Sequence, residues 1–196
     1  MGFRYDICLS GSGGQGLILM GIILAEAAGI YDNRYVVQTQ SYGPEARGGS
    51  SKAEIVISDE EIDYPKTMML DLLLAMNQKS CDDYYRDLKP EGILIVDSTL
   101  VDHAPAARIY RIPFTRIARE ELKREVAANI VALGAITKLT RIVTPKAIEK
   151  AVLARMPKEY KTLNMDALNA GMAAAVKVRR QVKSHAISSE REDEDT

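Results

Sequence analysis

Apolar and polar residues along this chain follow two different periods. Arg4 to Leu9 is a short, mostly apolar run that predicts a strand. Gln15 to Ala28 is apolar on nearly every face and predicts a buried helix. Tyr35 to Gln40 predicts a second strand, and Lys52 to Ile57, with Ala53, Ile55 and Ile57 on one face, a third. The link between them, Ser41 to Ser51, carries no helical pattern, so these two strands are expected to pair antiparallel. Leu70 to Met76 is continuously apolar, as in a central strand covered on both faces. Cys81, Tyr84, Tyr85 and Leu88 recur as one helix face, and Lys89-Pro90-Glu91-Gly92 predicts a turn. Ile93 to Asp97 and Arg108 to Ile112 predict two more strands.

Beyond Pro113 the period becomes helical. Glu125 to Leu139 predicts a buried helix, and Asn164 to Val182 a final one. Between them, Thr144 and Pro145 supply an N-cap and a first-position proline for a helix reaching Arg155. The sum is a three-layer, Rossmann-like α/β domain with a mixed, mostly parallel sheet and a helical C-terminal third. It is expected to occupy residues 1–183. Residues 184–196 form an acidic tail (Glu190, Glu192, Asp193, Glu194 and Asp195) whose charge predicts disorder.

Composition narrows the chemistry. At 196 residues the chain is expected to be one domain, burying roughly 70% of its unfolded surface. Lys plus Arg number 26 against 27 for Asp plus Glu, so no global basic field points to nucleic acid. Cys8 and Cys81 are far apart and read as small core residues. Without a C-x-x-C pair, this chain alone supplies neither an iron–sulfur cluster nor a structural zinc site. His103 and His185 have no partners in sequence, and no catalytic role is expected of either. Leu17 to Ala28, broken by Gly21 and Glu26, is too short to span a bilayer, and no signal peptide precedes it. A cytoplasmic location is therefore expected. Asn129 falls inside a buried helix, so it must bond to a cap, a loop carbonyl or a partner chain.

Two loops stand out at the expected carboxyl edge of the sheet, where ligands of such folds bind. The first holds Gly11, Ser12, Gly13, Gly14, Gln15 and Gly16, a G-x-G-x-x-G spacing between a strand and a helix that suits an anion. The second runs Ser41, Tyr42, Gly43, Pro44, Glu45, Ala46, Arg47, Gly48, Gly49. Its glycines permit close backbone approach, and Arg47 can grip a carboxylate or phosphate. The turn at Asn77-Gln78 and the segment Asp97-Ser98-Thr99 leave the same edge. A nicotinamide-dinucleotide site needs an acid ending the second strand, but the strand ends Gln38-Thr39-Gln40. No Gly-Lys-Ser or Gly-Lys-Thr follows the glycines, and neither a G-x-S-x-G elbow nor a metal triad is present.

At these loops the chain resembles the gamma subunit of 2-oxoacid:ferredoxin oxidoreductases. The likeness is carried by Gly11-Ser12-Gly13-Gly14-Gln15-Gly16 with Leu24 to Ala28, by Ser41 to Ser50, and by Leu88 to Asp97. Asn129 to Ala135 and Asn164 to Gly171 continue it, so that it covers about Phe3 to Lys177. The resemblance implies a subunit of a complex that converts a 2-oxoacid to acyl-coenzyme A, CO2 and reduced ferredoxin. The complex would use thiamine diphosphate, Mg, iron–sulfur clusters and coenzyme A. This chain has neither a thiamine-binding signature nor cluster cysteines, so the resemblance makes it a non-catalytic subunit, inactive alone, that binds no cofactor by itself. The implied partners are alpha and beta, and in some complexes delta, subunits, with ferredoxin engaged through the complex and neither nucleic acid nor membrane. The two loops are expected to dock on the catalytic subunits and to help shape the coenzyme A channel. Among possible substrates 2-oxoglutarate is favoured over pyruvate, 2-oxoisovalerate and indolepyruvate. A stand-alone nucleotide- or dinucleotide-binding module using Gly11 to Gly16 is the alternative.

Overall fold

The computed structural model describes residues 2–42, 49–105 and 108–194, with side chains described through residue 180. Six strands form one sheet in the order β2-β3-β1-β4-β5-β6. They are β1 (Arg4–Ser12), β2 (Tyr35–Tyr42), β3 (Ser50–Ser58), β4 (Leu70–Ala75), β5 (Leu88–Asp97) and β6 (Ile109–Ile112). β3 runs antiparallel to β1 and to β2, whereas β1, β4, β5 and β6 run parallel. The expected mixed sheet and the antiparallel β2–β3 pair are both present.

The near-continuous apolar runs of β1, β4 and β5 follow from cover on both faces. Ile7, Leu9, Leu72, Leu74, Ile93 and Ile95 point into the larger core. That core is closed by α1 (Leu17–Glu26), α3 (Phe114–Glu120), α4 (Ala128–Thr140), α5 (Pro145–Arg155) and α6 (Lys161–Glu194). The alternate residues Cys8, Leu73, Ala75, Leu94 and Val96 form a smaller core with Cys81 of α2 (Gln78–Tyr84) and Val101. Three layers result, one much thinner than the other.

Local chemistry sets several boundaries. Thr144 caps α5 by accepting from the Ala147 N–H at 3.2 Å, with Pro145 at its first position. α1 passes into a π-helical turn, Ala27–Tyr31. The helix face expected to end at Leu88 stops earlier, at Tyr84, followed by a 3-10 turn Tyr85–Asp87. Lys89-Pro90-Glu91-Gly92 is not a turn but the irregular start of β5: Leu88 pairs with Leu70, and the register shifts before Leu72 meets Ile93. An irregularity tolerates the proline's missing N–H, and the Lys89 ammonium grips both Asp71 oxygens at 2.8 Å. α3, placed by no sequence expectation, is a seven-residue helix that buries Phe114 and Ala118. α6 begins before the expected Asn164 and continues past Val182.

α4 and α6 pack backbone to backbone. A Cβ on Gly134 would overlap the Leu168 carbonyl oxygen, and one on Gly171 the Val131 carbonyl oxygen. Glycine at both positions lets the helices approach closer than side chains allow. Gly171→Ala should therefore cost about 3 kcal/mol by overpacking. Gly14→Ala, where a Cβ meets nothing but φ is +92°, should cost only about 1 kcal/mol of backbone strain. Urea unfolding of the two variants measures the difference.

Candidate functional site

The β1–β3 ladder carries the first loop into the second. Ser12 pairs with Ser50, and the Gly13 N–H donates to the Gly49 carbonyl at 2.7 Å. The two glycine loops thus start from one point on the sheet edge. Ser41 and Tyr42, at the end of β2, pair with Lys52 and Ser51, and Tyr42 is exposed. Gly43, Glu45, Arg47 and Gly48 lie outside the described residues.

Gln15 closes the first loop onto the sheet. Its Oε1 accepts from the Ser12 N–H at 2.7 Å, and its Nε2 donates to the Met76 carbonyl at 3.1 Å. Asn77 caps α2 by accepting from the Ser80 N–H at 2.8 Å, and donates from Nδ2 to the Ser12 hydroxyl at 2.6 Å. The Ser10 hydroxyl meets the Ser80 hydroxyl at 3.0 Å. From the other side Asn129 donates to the Gly16 carbonyl at 3.3 Å, while its Oδ1 accepts from the Ile130 N–H at 2.9 Å. Of the three partners expected for Asn129, the structure selects the loop carbonyl.

The glycines of the first loop serve different ends. A Cβ on Gly11 would crowd Leu17 and Met76, each 2.9 Å away. Gly16 caps α1 in the left-handed region, φ 74°, and a Cβ there would overlap the Asn129 amide. Gly14 alone of these three faces open space. The loop's amides are also largely spent. Ser12 bonds to Gln15 Oε1, Gly13 to Gly49, and the Gln15 N–H to the Ser12 carbonyl at 3.2 Å. A dinucleotide cradle needs these groups free, so the geometry argues against the stand-alone nucleotide-binding reading.

Beside the loop lies a cavity of about 290 Å³, lined by Gly14, Gln15, Met76, Leu100, Thr115 and Val126, among others. It opens beyond the carboxyl ends of β1, β4 and β5, the edge at which such sheets bind ligands. Its wall is fixed by Asp97. This fully buried carboxylate accepts from the Thr99 N–H and the Thr115 N–H, both at 3.0 Å, and from the Thr115 hydroxyl. At the rim, Arg119 pairs with Glu125 at 2.8 Å. Its hydrogen bond and charge hold the Glu125 carboxyl below the usual range. Met76, Leu100, Thr115 and Val126 were not among the expected site residues. They come from four separate segments that only the tertiary fold brings together.

Cys8 and Cys81 are free and buried. Burial pushes the Cys8 thiol up to about 12 and raises that of Cys81 as well. Neither is placed to ligate a cluster. Among the described residues no group of three or more His, Cys, Asp or Glu comes together. The described residues therefore offer no ligand set for an iron–sulfur cluster. The backbone N–H and carbonyl of His103 are tied to the Gln78 side chain at 3.1 and 2.9 Å. Among the described residues no helix is long and apolar enough to cross a membrane.

Asn129 is the pin that a substitution can remove. Asn129→Ala removes this donor while the Met20 N–H still serves the Gly16 carbonyl at 3.0 Å, and should cost about 0.5–1.5 kcal/mol. It should also speed amide hydrogen exchange at Gly14, Gln15 and Gly16 relative to β4, which two-dimensional NMR can follow residue by residue.

Comparison with known proteins places this geometry. Residues 6–174 match the family described as pyruvate ferredoxin/flavodoxin oxidoreductase. The 2-oxoglutarate synthase subunit KorC of Methanocaldococcus jannaschii is 52% identical over 176 residues, covering 88% of this chain and 94% of that protein. The ketoisovalerate oxidoreductase subunit VorA of Methanothermobacter thermautotrophicus is 39% identical over 132 residues, 67% of this chain but only 27% of that longer subunit. The crystal structure of a keto/oxoacid ferredoxin oxidoreductase gamma subunit from Geobacter sulfurreducens superposes with a TM-score of 0.82 at 47% identity. It covers 90% of this chain and 98% of that one. The chain belongs to the pyruvate ferredoxin/flavodoxin oxidoreductase family and has the fold and extent of its separate gamma subunits.

Proposed function

We propose that this chain is the gamma subunit of a 2-oxoglutarate:ferredoxin oxidoreductase, acting in the cytoplasm. That complex would convert 2-oxoglutarate and coenzyme A to succinyl-coenzyme A and CO2, with the electrons passing to ferredoxin. The observation that carries the reading is identity at 52% along 94% of a 2-oxoglutarate synthase subunit. Thiamine diphosphate, Mg and the iron–sulfur clusters belong in this reading to alpha and beta subunits, joined in some complexes by delta. With only Cys8 and Cys81, far apart in sequence and both buried, this chain is read as a subunit through which no redox step runs.

Its part is docking, with a contribution to the coenzyme A channel. The joined origin of the two loops at Gly13 and Gly49 supports a single contact surface made from Gly11 to Gly16 and Ser41 to Gly49. The match of this chain to a 27% portion of the longer VorA subunit fits a unit that works beside larger ones. With the Ser12, Gly13 and Gln15 amides spent, a phosphate of coenzyme A would meet the open backbone at Gly14, and Arg47, by its residue type, is the second candidate contact.

A tagged copy drawn from native lysate should bring down thiamine-dependent subunits, and the purified complex should reduce ferredoxin with 2-oxoglutarate in preference to pyruvate. Recovery of no such partner, or a preference for another oxoacid, contradicts the respective half of the proposal. Within the complex, Arg47→Ala should raise the apparent KM for coenzyme A about tenfold, as expected for one lost charge-assisted contact. Ferredoxin reduction in the half-reaction without coenzyme A should be largely retained. An unchanged KM removes Arg47 from the channel.

A further inference from the structure

A second cavity, of about 420 Å³, lies apart from the glycine loops' outer surface. Its walls come from Leu19 of α1, Ala127, Asn129 and Ile130 at the start of α4, Met156 after α5, and Leu163 and Asn164 at the start of α6, with Arg124, Val126 and Tyr160 at its edge. Its size suits a small organic ligand, and its lining is mainly apolar with a few convergent polar groups, as in binding pockets generally.

Those polar groups keep hydrogen-bonding capacity that faces the cavity. Asn164 is only 7% exposed. Its Nδ2 donates to the Tyr160 carbonyl at 2.8 Å, while its Oδ1 meets no donor among the described residues. Among the described residues no buried side-chain nitrogen or oxygen lacks a partner, so this oxygen is reached from the cavity it borders, where a donor can meet it. At the edge, the Arg124 backbone is anchored at both ends, its N–H to the Ala118 carbonyl at 2.9 Å and its carbonyl to the Ala127 N–H at 3.0 Å. Its guanidinium makes no hydrogen bond or ion pair among the described residues. α4 and α6 both present their N-terminal turns to the cavity, where the helix dipole favours negative charge. Val126, 81% exposed, stands at the mouth as an apolar contact.

We propose that this cavity binds a small amphipathic anion: an apolar body held between Leu19, Ile130, Met156 and Leu163, an anionic group on Arg124, and a hydrogen-bond donor turned to Asn164 Oδ1. The site is distinct from the coenzyme A role assigned above to Gly14 and Arg47. Asn129 borders the cavity and also holds Gly16, so occupancy reaches the glycine loop through one side chain.

The test uses the full chain and two probes. One is 8-anilinonaphthalene-1-sulfonate, which carries the anion, and the other is neutral 1-anilinonaphthalene, which lacks it; each is titrated by fluorescence. The expected result is saturable one-to-one binding of the sulfonate, weakened about tenfold in Arg124→Gln, with the neutral probe bound equally by both proteins. In 15N-labelled protein the Asn164 side-chain amide signals should shift on saturation. Non-saturable binding, equal weakening of both probes, no effect of Arg124→Gln, or unmoved Asn164 signals would each overturn the proposal. Arg124 is exposed, so its replacement leaves the fold intact, and circular dichroism of the variant verifies this.

Discussion

The hydrogen bond from the Gly13 N–H to the Gly49 carbonyl decides what this protein's functional edge can be. It extends the β1–β3 ladder one step beyond its last strand pair, Ser12 with Ser50. Two loops separated in sequence by α1 and β2 therefore meet at a single point on the sheet edge. β1 is also the strand flanked by β3 on one side and by β4 on the other. Everything at this edge is arranged around that junction: Gln15 hooked to Met76, Asn77 to Ser12, and Asn129 to Gly16.

The same bonds change the meaning of the glycine motif. In a dinucleotide-binding fold the glycines clear space for a pyrophosphate and leave amides to hold it. Here Gly11 clears space for Leu17 and Met76, and Gly16 for Asn129. The amides of Ser12, Gly13 and Gln15 are satisfied within the chain. A loop pinned at this many points is a rigid feature of the surface, suited to contact with another protein. The tight α4–α6 crossing at Gly134 and Gly171 serves the same end, because α4 carries the Asn129 that clamps the loop.

Much of this was legible in the sequence wherever the signal was local. The β2–β3 antiparallel pair followed from a link without helical pattern, the α5 cap from Thr144-Pro145, and the burial of Cys8 from its apolar neighbours and of Cys81 from its place on a helix face. The likeness to gamma subunits, carried by the two glycine loops and by the segments around Asn129 and Asn164, agrees with the family match. What escaped depends on contacts between distant segments. Lys89 to Gly92 has the composition of a turn, yet pairing with Leu70 and the Lys89–Asp71 ion pair draw it into β5. Seven residues of α3 give too short a period to identify. The cavity walls at Leu100, Thr115 and Val126 share no sequence pattern, and the role of Gln15 as a hook lies in one rotamer rather than in its residue type.

The central claim, that the two glycine loops form one docking surface, is tested most directly by hydrogen–deuterium exchange of this chain alone and in the assembled oxidoreductase. The account predicts that assembly adds protection at residues 11–16 and 41–50 together. Protection confined to other surfaces, with both loops exchanging as in the free chain, would contradict it.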